Sequence, residues 1–67
     1  MNKKYNWYVV SKYCDNGNVS AKIYSVYELP LCYVNEEYIE LDDRSIYIDG
    51  FNRLDDAVIW QENALNC

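Results

Sequence analysis

Asn16-Gly17 stands between two runs of β-forming residues, and no other feature of the chain restricts its fold so strongly. Residues 5–13 read Tyr-Asn-Trp-Tyr-Val-Val-Ser-Lys-Tyr, and residues 19–27 read Val-Ser-Ala-Lys-Ile-Tyr-Ser-Val-Tyr. Aromatic and β-branched side chains of this kind suit a pleated, half-buried surface. Gly17 supplies the positive φ that a tight hairpin connection needs, so an antiparallel hairpin turning over residues 14–18 is predicted. Alternation then sorts the side chains into two faces. Trp7, Val9, Ala21 and Ile23 form the expected core face. Tyr8, Val10, Tyr24 and Val26 share the other face with lysines, and that face is either covered or a binding surface.

Pro30 ends the second strand, because its ring fixes φ and it has no N–H for a ladder. Residues 28–37 read as a connection, with Leu29, Leu31, Tyr33 and Val34 available to pack down. Residues 38–41 alternate as a short third strand, and Asp42-Asp43-Arg44 suits a turn. Residues 45–51 form a further strand with Ile46 and Ile48 on one face and Tyr47 and Phe51 on the other. Gly50 marks its end or a bulge. A helix follows. Asn52 is the expected cap, and Asp55 and Asp56 lie in the first turn, where the macrodipole favours acids. Leu54, Ala57, Val58, Gln61 and Leu65 trace one face, broken only by Gln61. The expected architecture is α+β: an antiparallel sheet of three to four strands in the order ββ(β)β, with one C-terminal helix on one face.

Sixty-seven residues suffice for one domain, residues 1–67. So small a fold hides only about 60% of its unfolded surface, so it packs densely or shares a core with a second copy. Eight Tyr and two Trp rule against disorder. The net charge of −5 is unevenly spread. Residues 1–27 hold four lysines against Asp15, a net of +3, and residues 28–67 hold two arginines against ten carboxylates, a net of −8. An acidic balance repels phosphate backbones and favours basic partners, so direct nucleic-acid binding is not expected. No apolar run reaches membrane-spanning length.

Catalytic and metal chemistry have little to work with. The chain has no His, the commonest general base, and its two glycines build no phosphate-cradling loop. A domain of this design is also expected to lack room for an ordinary substrate pocket. Cys14, Cys32 and Cys67 are irregularly spaced, which excludes a Cys/His zinc site within one chain. Asp42, Asp43 and Asp49 do not follow the spacing of a calcium loop. No cofactor or metal is expected. No cationic–apolar leader opens the sequence, and reduced thiols in a cytoplasm are the expected setting. The sequon at Asn18-Val19-Ser20 would then go unused.

Two partner-binding features remain. Glu36, Glu37, Glu40, Asp42, Asp43, Asp49, Asp55 and Asp56 could occupy a basic groove built for nucleic acid, with salt-sensitive affinity; the plainer reading is a solvated acidic surface. Tyr8 and Tyr24, with Tyr13 and Tyr27, are placed on the hairpin face away from the expected core, where large rigid rings with polar tips suit an interface. Cross-strand pairing within the sheet is the plainer reading for any one of them.

The string Trp7-Tyr8-Val9-Val10-Ser11-Lys12-Tyr13, followed by Asp15-Asn16-Gly17-Asn18-Val19-Ser20-Ala21-Lys22-Ile23-Tyr24, resembles the opening hairpin of short proteins from phages and mobile elements of Gram-positive bacteria. Ile46-Tyr47-Ile48-Asp49-Gly50-Phe51-Asn52-Arg53-Leu54-Asp55-Asp56-Ala57 is similar to their strand-then-helix ending. The resemblance covers about half the chain. It implies a non-enzymatic inhibitor of host defence, of the anti-CRISPR kind, acting in the bacterial cytoplasm. Its partner would be a basic nucleic-acid-binding effector, met by an acidic surface that mimics nucleic acid. The alternative is an assembly module that forms a homodimer through its Tyr-rich sheet.

Overall fold

A computed structural model describes residues 5–34 and 36–66. Strand β1 spans Trp7–Cys14 and β2 Val19–Ser25, joined by the expected turn. The loop proper is Asp15, Asn16 and Gly17. The Gly17 N–H donates to the Cys14 carbonyl at 3.0 Å, and the Cys14 N–H donates to the Asn18 carbonyl at 2.9 Å. Gly17 sits at φ +92°, the left-handed position that closes a three-residue hairpin loop. The Asn18 N–H donates to Asn16 Oδ1 at 3.0 Å, which pins the loop locally.

Strands β3 (Tyr38–Glu40) and β4 (Arg44–Phe51) form a second hairpin, and helix α1 (Leu54–Leu65) closes the chain. The four strands make one antiparallel sheet in the order β2-β1-β4-β3. This is the α+β arrangement read from the sequence. The order places β2 and β3 on opposite edges, so residues 26–37 must cross the sheet over β1 and β4. Crossing there, Leu29 is buried, and Val26, Tyr33 and Val34 pack against Tyr8, Val10, Ile46 and Ile48. A single 3₁₀ turn at Leu31–Tyr33 lets the segment fold down, while Leu31 itself points out at 77% exposure.

The hairpin face bearing Tyr8 and Val10 is therefore covered, and both faces of β1 are core. On the other face Val9 and Ala21 meet Ala57 and Ala64 of α1, with Trp7, Ile23 and Phe51 around them. Two alanines on the inner side of the helix allow its backbone to approach the sheet closely. Here the expected helix face needs correction. Ala64 rather than Leu65 turns inward, and Leu54 and Leu65 lie at the exposed ends of α1. The cap residue is Arg53, without a side-chain cap bond; Asn52 instead offers its carbonyl to Asn6 Nδ2 at 3.3 Å. Gln61, the polar interruption in the stripe, donates from Nε2 to the Ala21 carbonyl at 2.8 Å. That bond ties α1 to edge strand β2 and occupies one of its backbone acceptors, which also guards the edge against pairing with another chain.

Gly50 is neither a strand end nor a bulge. It pairs with Tyr8 inside β4, and the ring of Tyr5 lies directly on it. The Tyr5 N–H also donates to the Tyr8 hydroxyl at 3.2 Å, and the two rings meet edge to face at 6.1 Å. A side chain at residue 50 would collide with the root of the Tyr5 ring rather than its mobile tip. Gly50→Ala is expected to destabilise the fold by about 1–3 kcal/mol, as other overpacking substitutions do. In a Tyr5→Ala background the same substitution should cost little. Urea unfolding of the four-member cycle checks this, and strict additivity would dismiss the collision.

Candidate functional site

Helix α1 rests mainly on β2 and β1, and only lightly on β4. Beyond it the same face of the sheet opens into a cleft of about 420 Å³. The register builds the lining. Ser11 pairs with Tyr47, Tyr13 with Ser45, and Val9 with Asp49, so alternation brings Ser11, Tyr13, Ser45, Tyr47 and Asp49 to one face. Trp60 of α1 supplies the remaining wall. The cleft is wide open to solvent rather than an enclosed cavity, so its volume alone does not make it an ordinary substrate pocket.

The walls are aromatic. Tyr13 and Tyr47 meet edge to face at 5.5 Å, and Tyr38 continues the cluster with its ring 4.9 Å from Tyr47. Trp60 packs on Phe51 at 5.8 Å and donates from Nε1 to Asp49 Oδ2 at 3.1 Å. Partial burial raises the Asp49 carboxyl above its ordinary range; the Trp60 bond opposes that shift, and the charge of Glu37 adds to it. At the floor Ser11 is 1% exposed, and its Oγ has no hydrogen-bond partner. A buried hydroxyl left in this state is uncommon and costs about 1–3 kcal/mol relative to a satisfied one. At the rim the Tyr38 hydroxyl donates to Glu40 Oε1 at 2.7 Å and accepts from Ser45 Oγ at 3.4 Å. The Ser45 contact lowers the Tyr38 phenol, but the bond and charge of Glu40, with some burial, outweigh it and leave the group raised.

The residues singled out from sequence fall into distinct places. Tyr8 is buried at 8% exposure, which withdraws it from a partner, whereas Tyr24 packs against the same cluster but stays partly exposed. Tyr27 lies past the end of β2 at 93% exposure, and Tyr13 belongs to the helix side. Of the acids, Asp49 lines the cleft, Glu37 acts on it through charge, and Glu40 is held by Tyr38. Asp56 lies one turn before Trp60 on the same side of α1. Asp42 and Asp43 occupy the β3–β4 turn, about 23 Å from the helix start by the length of β4. Arg44 bonds to Asp43 there at 2.9 Å and holds that exposed carboxyl below its usual range. Asp55 faces Arg53 at 3.7 Å, and Glu36 is exposed at the end of the crossover. The eight acids thus do not form one continuous strip.

Ser11, Ser45, Tyr47 and Trp60 were not among the candidates. Alternation already grouped Ser11 with Val9 and separated Tyr47 from Ile46 and Ile48. What it lacked was the β1–β4 pairing that brings the two sets together. Among the described residues no group of three or more Cys, Asp or Glu is arranged to hold a metal, and Cys14 and Cys32 are not joined to another cysteine. No described helix is long and apolar enough to cross a membrane. Comparison with protein-family models, curated proteins and solved structures finds no match.

The state of Asp49 yields a stability test. Its folded pKa is raised, so the folded protein keeps this proton to higher pH than the unfolded chain does. The stability linked to that proton is full below the ordinary carboxylate pKa and is lost as pH rises through the raised value. Asp49→Asn keeps an acceptor for Trp60 and removes the ionisation. The variant should be at least as stable as the parent near neutral pH, and the two should converge as pH falls below the usual carboxylate range. Thermal unfolding across pH checks this; a less stable variant at neutral pH would reverse the sign assigned to burial.

Proposed function

We propose that this chain is a non-enzymatic binding protein that engages a basic protein partner through the open half of its helix-side face. The observation that carries this reading is the cleft itself, where aromatic walls surround a half-buried carboxylate. Aromatic surface with fixed polar tips and partial desolvation is what interface hot spots are made of. The chain's strong negative charge selects positively charged partners and speeds their approach. Catalysis finds no support in the same residues. Ser11 Oγ is hydrogen-bonded to no base, so it is not an activated nucleophile.

The finer reading, an inhibitor of a bacterial nucleic-acid-handling defence protein, rests on the resemblance to small phage proteins and on the acidic balance. The partner's groove would be one that ordinarily binds phosphate, with Glu37, Glu40, Asp49 and Asp56 nearest the contact. Asp42, Asp43, Asp55 and Glu36 would add longer-range attraction. Pairing of two copies through this face is disfavoured by charge, because an isologous contact would bring Asp49 and Glu40 of both copies together.

Immobilised protein exposed to a Gram-positive bacterial lysate should retain a basic nucleic-acid-binding protein that is released by salt and by excess DNA. Glu40→Gln with Asp49→Asn should weaken retention at least about tenfold, a loss on the order of 1.4 kcal/mol. Glu28→Gln, with the same change of charge per site outside the cleft, should leave it nearly unchanged. Retention indifferent to salt, DNA and both sets of substitutions would remove the reading, and a tight dimer in solution with no such partner would favour self-assembly.

A further inference from the structure

The cleft has a more specific shape of chemistry than a general acidic face. It holds one carboxylate with an oxygen beyond the Trp60 bond, a floor hydroxyl with no partner, and flat aromatic walls. An anion would meet Asp49 and, behind it, the charge of Glu37. A neutral apolar group would leave Ser11 Oγ unsatisfied and strand a half-buried carboxylate. A cation removes both difficulties, and the geometry separates two kinds of cation. An ammonium is a compact, strongly hydrated point charge, whereas a guanidinium is planar, weakly hydrated and carries five donors in a fixed fork. Only the latter lies flat against aromatic rings while donating to two acceptors set apart at the wall and the floor.

We infer that the cleft is a receptor for one arginine side chain of the partner, with the guanidinium stacked on the Tyr47 and Trp60 rings and donating to Asp49 and Ser11 Oγ. This rests on the reading of the chain as a binder of basic proteins and names the side chain that the site selects. Tyr13 closes the site along β1, and Ser45 lines it opposite, already engaged by Tyr38. The unpartnered Ser11 hydroxyl, buried at the cleft floor, is then the acceptor that the ligand satisfies, and Asp49 is the group whose charge the ligand neutralises.

The test uses the full chain labelled with ¹⁵N and three small probes: N-acetyl-arginine methylamide, its lysine counterpart and its neutral citrulline counterpart. The arginine probe should shift the Trp60 indole N–H resonance and the Ser11, Tyr47 and Asp49 amides, saturating at concentrations on the order of 1 mM. The lysine probe should bind at least about tenfold more weakly, and the citrulline probe should produce no saturating shift. Asp49→Asn should abolish the arginine response, while Glu28→Gln should leave it intact. Ser11→Ala should weaken binding several-fold without lowering the melting temperature, a split that a purely structural serine would not produce. Equal responses to arginine and lysine, or shifts scattered over the other carboxylates, would overturn the inference. If a basic partner is still captured through Glu40 and Asp49 while the arginine probe leaves the cleft unmoved, the arginine pocket falls and the binding reading stands. If the probe binds but no basic partner is retained, the binding reading falls instead.

Discussion

The pairing of β1 with both β2 and β4 is the contact on which the rest of the structure depends. It makes β1 an interior strand, and residues 8–11 are buried in succession rather than alternately. A strand buried on both faces needs two covers. One is imposed by topology: with β2 and β3 on opposite edges, the crossover is stretched over the face that holds Tyr8 and Val10. The other is α1, which the chain can place only after β4, and which therefore returns across Val9 and Ala21. Twelve helical residues leaning toward β2 cannot also roof β4, so the Asp49 end of that face stays open. The cleft is a consequence of how few residues there are to cover a four-stranded sheet.

That geometry explains what could and could not be read from the residue order. The hairpin was legible because Gly17 and the flanking β-formers are local signals, and the helix because its period and early acids are local too. The two-sided burial of β1 was not legible. Lysines beside the Tyr8 face made it look like an outer surface. Yet Lys12 lies toward the end of β1 and Lys22 is exposed on edge strand β2, while Tyr8 and Val10 of the interior strand are covered by Leu29 and Tyr33. Leu54 and Leu65 attracted attention as large apolar residues, but close packing of helix on sheet favoured the small Ala57 and Ala64. Of the candidate site, Asp49 and the general acidic character were found; Ser11, Tyr47 and Trp60 depend on a long-range register that no local pattern encodes.

Energetics sharpen the distinction between the covered and open halves. Where the sheet is covered, the polar exception Gln61 is matched to the Ala21 carbonyl and reinforces the packing. Where it is open, the polar exceptions are unmatched or strained in charge: Ser11 Oγ lacks a partner, and Asp49 retains a raised pKa despite the Trp60 N–H. Both features weaken the isolated fold, which has little stability to spare at this length. Local rules broken without a structural gain concentrate at places where a protein does something. Their coincidence within one cleft is stronger than either alone.

The layout of charge then assigns different work to different carboxylates. The acids at the β3–β4 turn and the helix start are well exposed and partly answered by Arg44 and Arg53, so salt screens them and a contact there is worth little. They remain effective at a distance, where the sum of charge governs the rate of encounter rather than the strength of the final contact. Asp49 differs in that it is half-buried beside rings, where the surrounding dielectric is lower and a bound cation gains more. On the reading proposed above, attraction and recognition would be separate: the dispersed carboxylates would draw in basic partners, and the cleft would decide which of them stays.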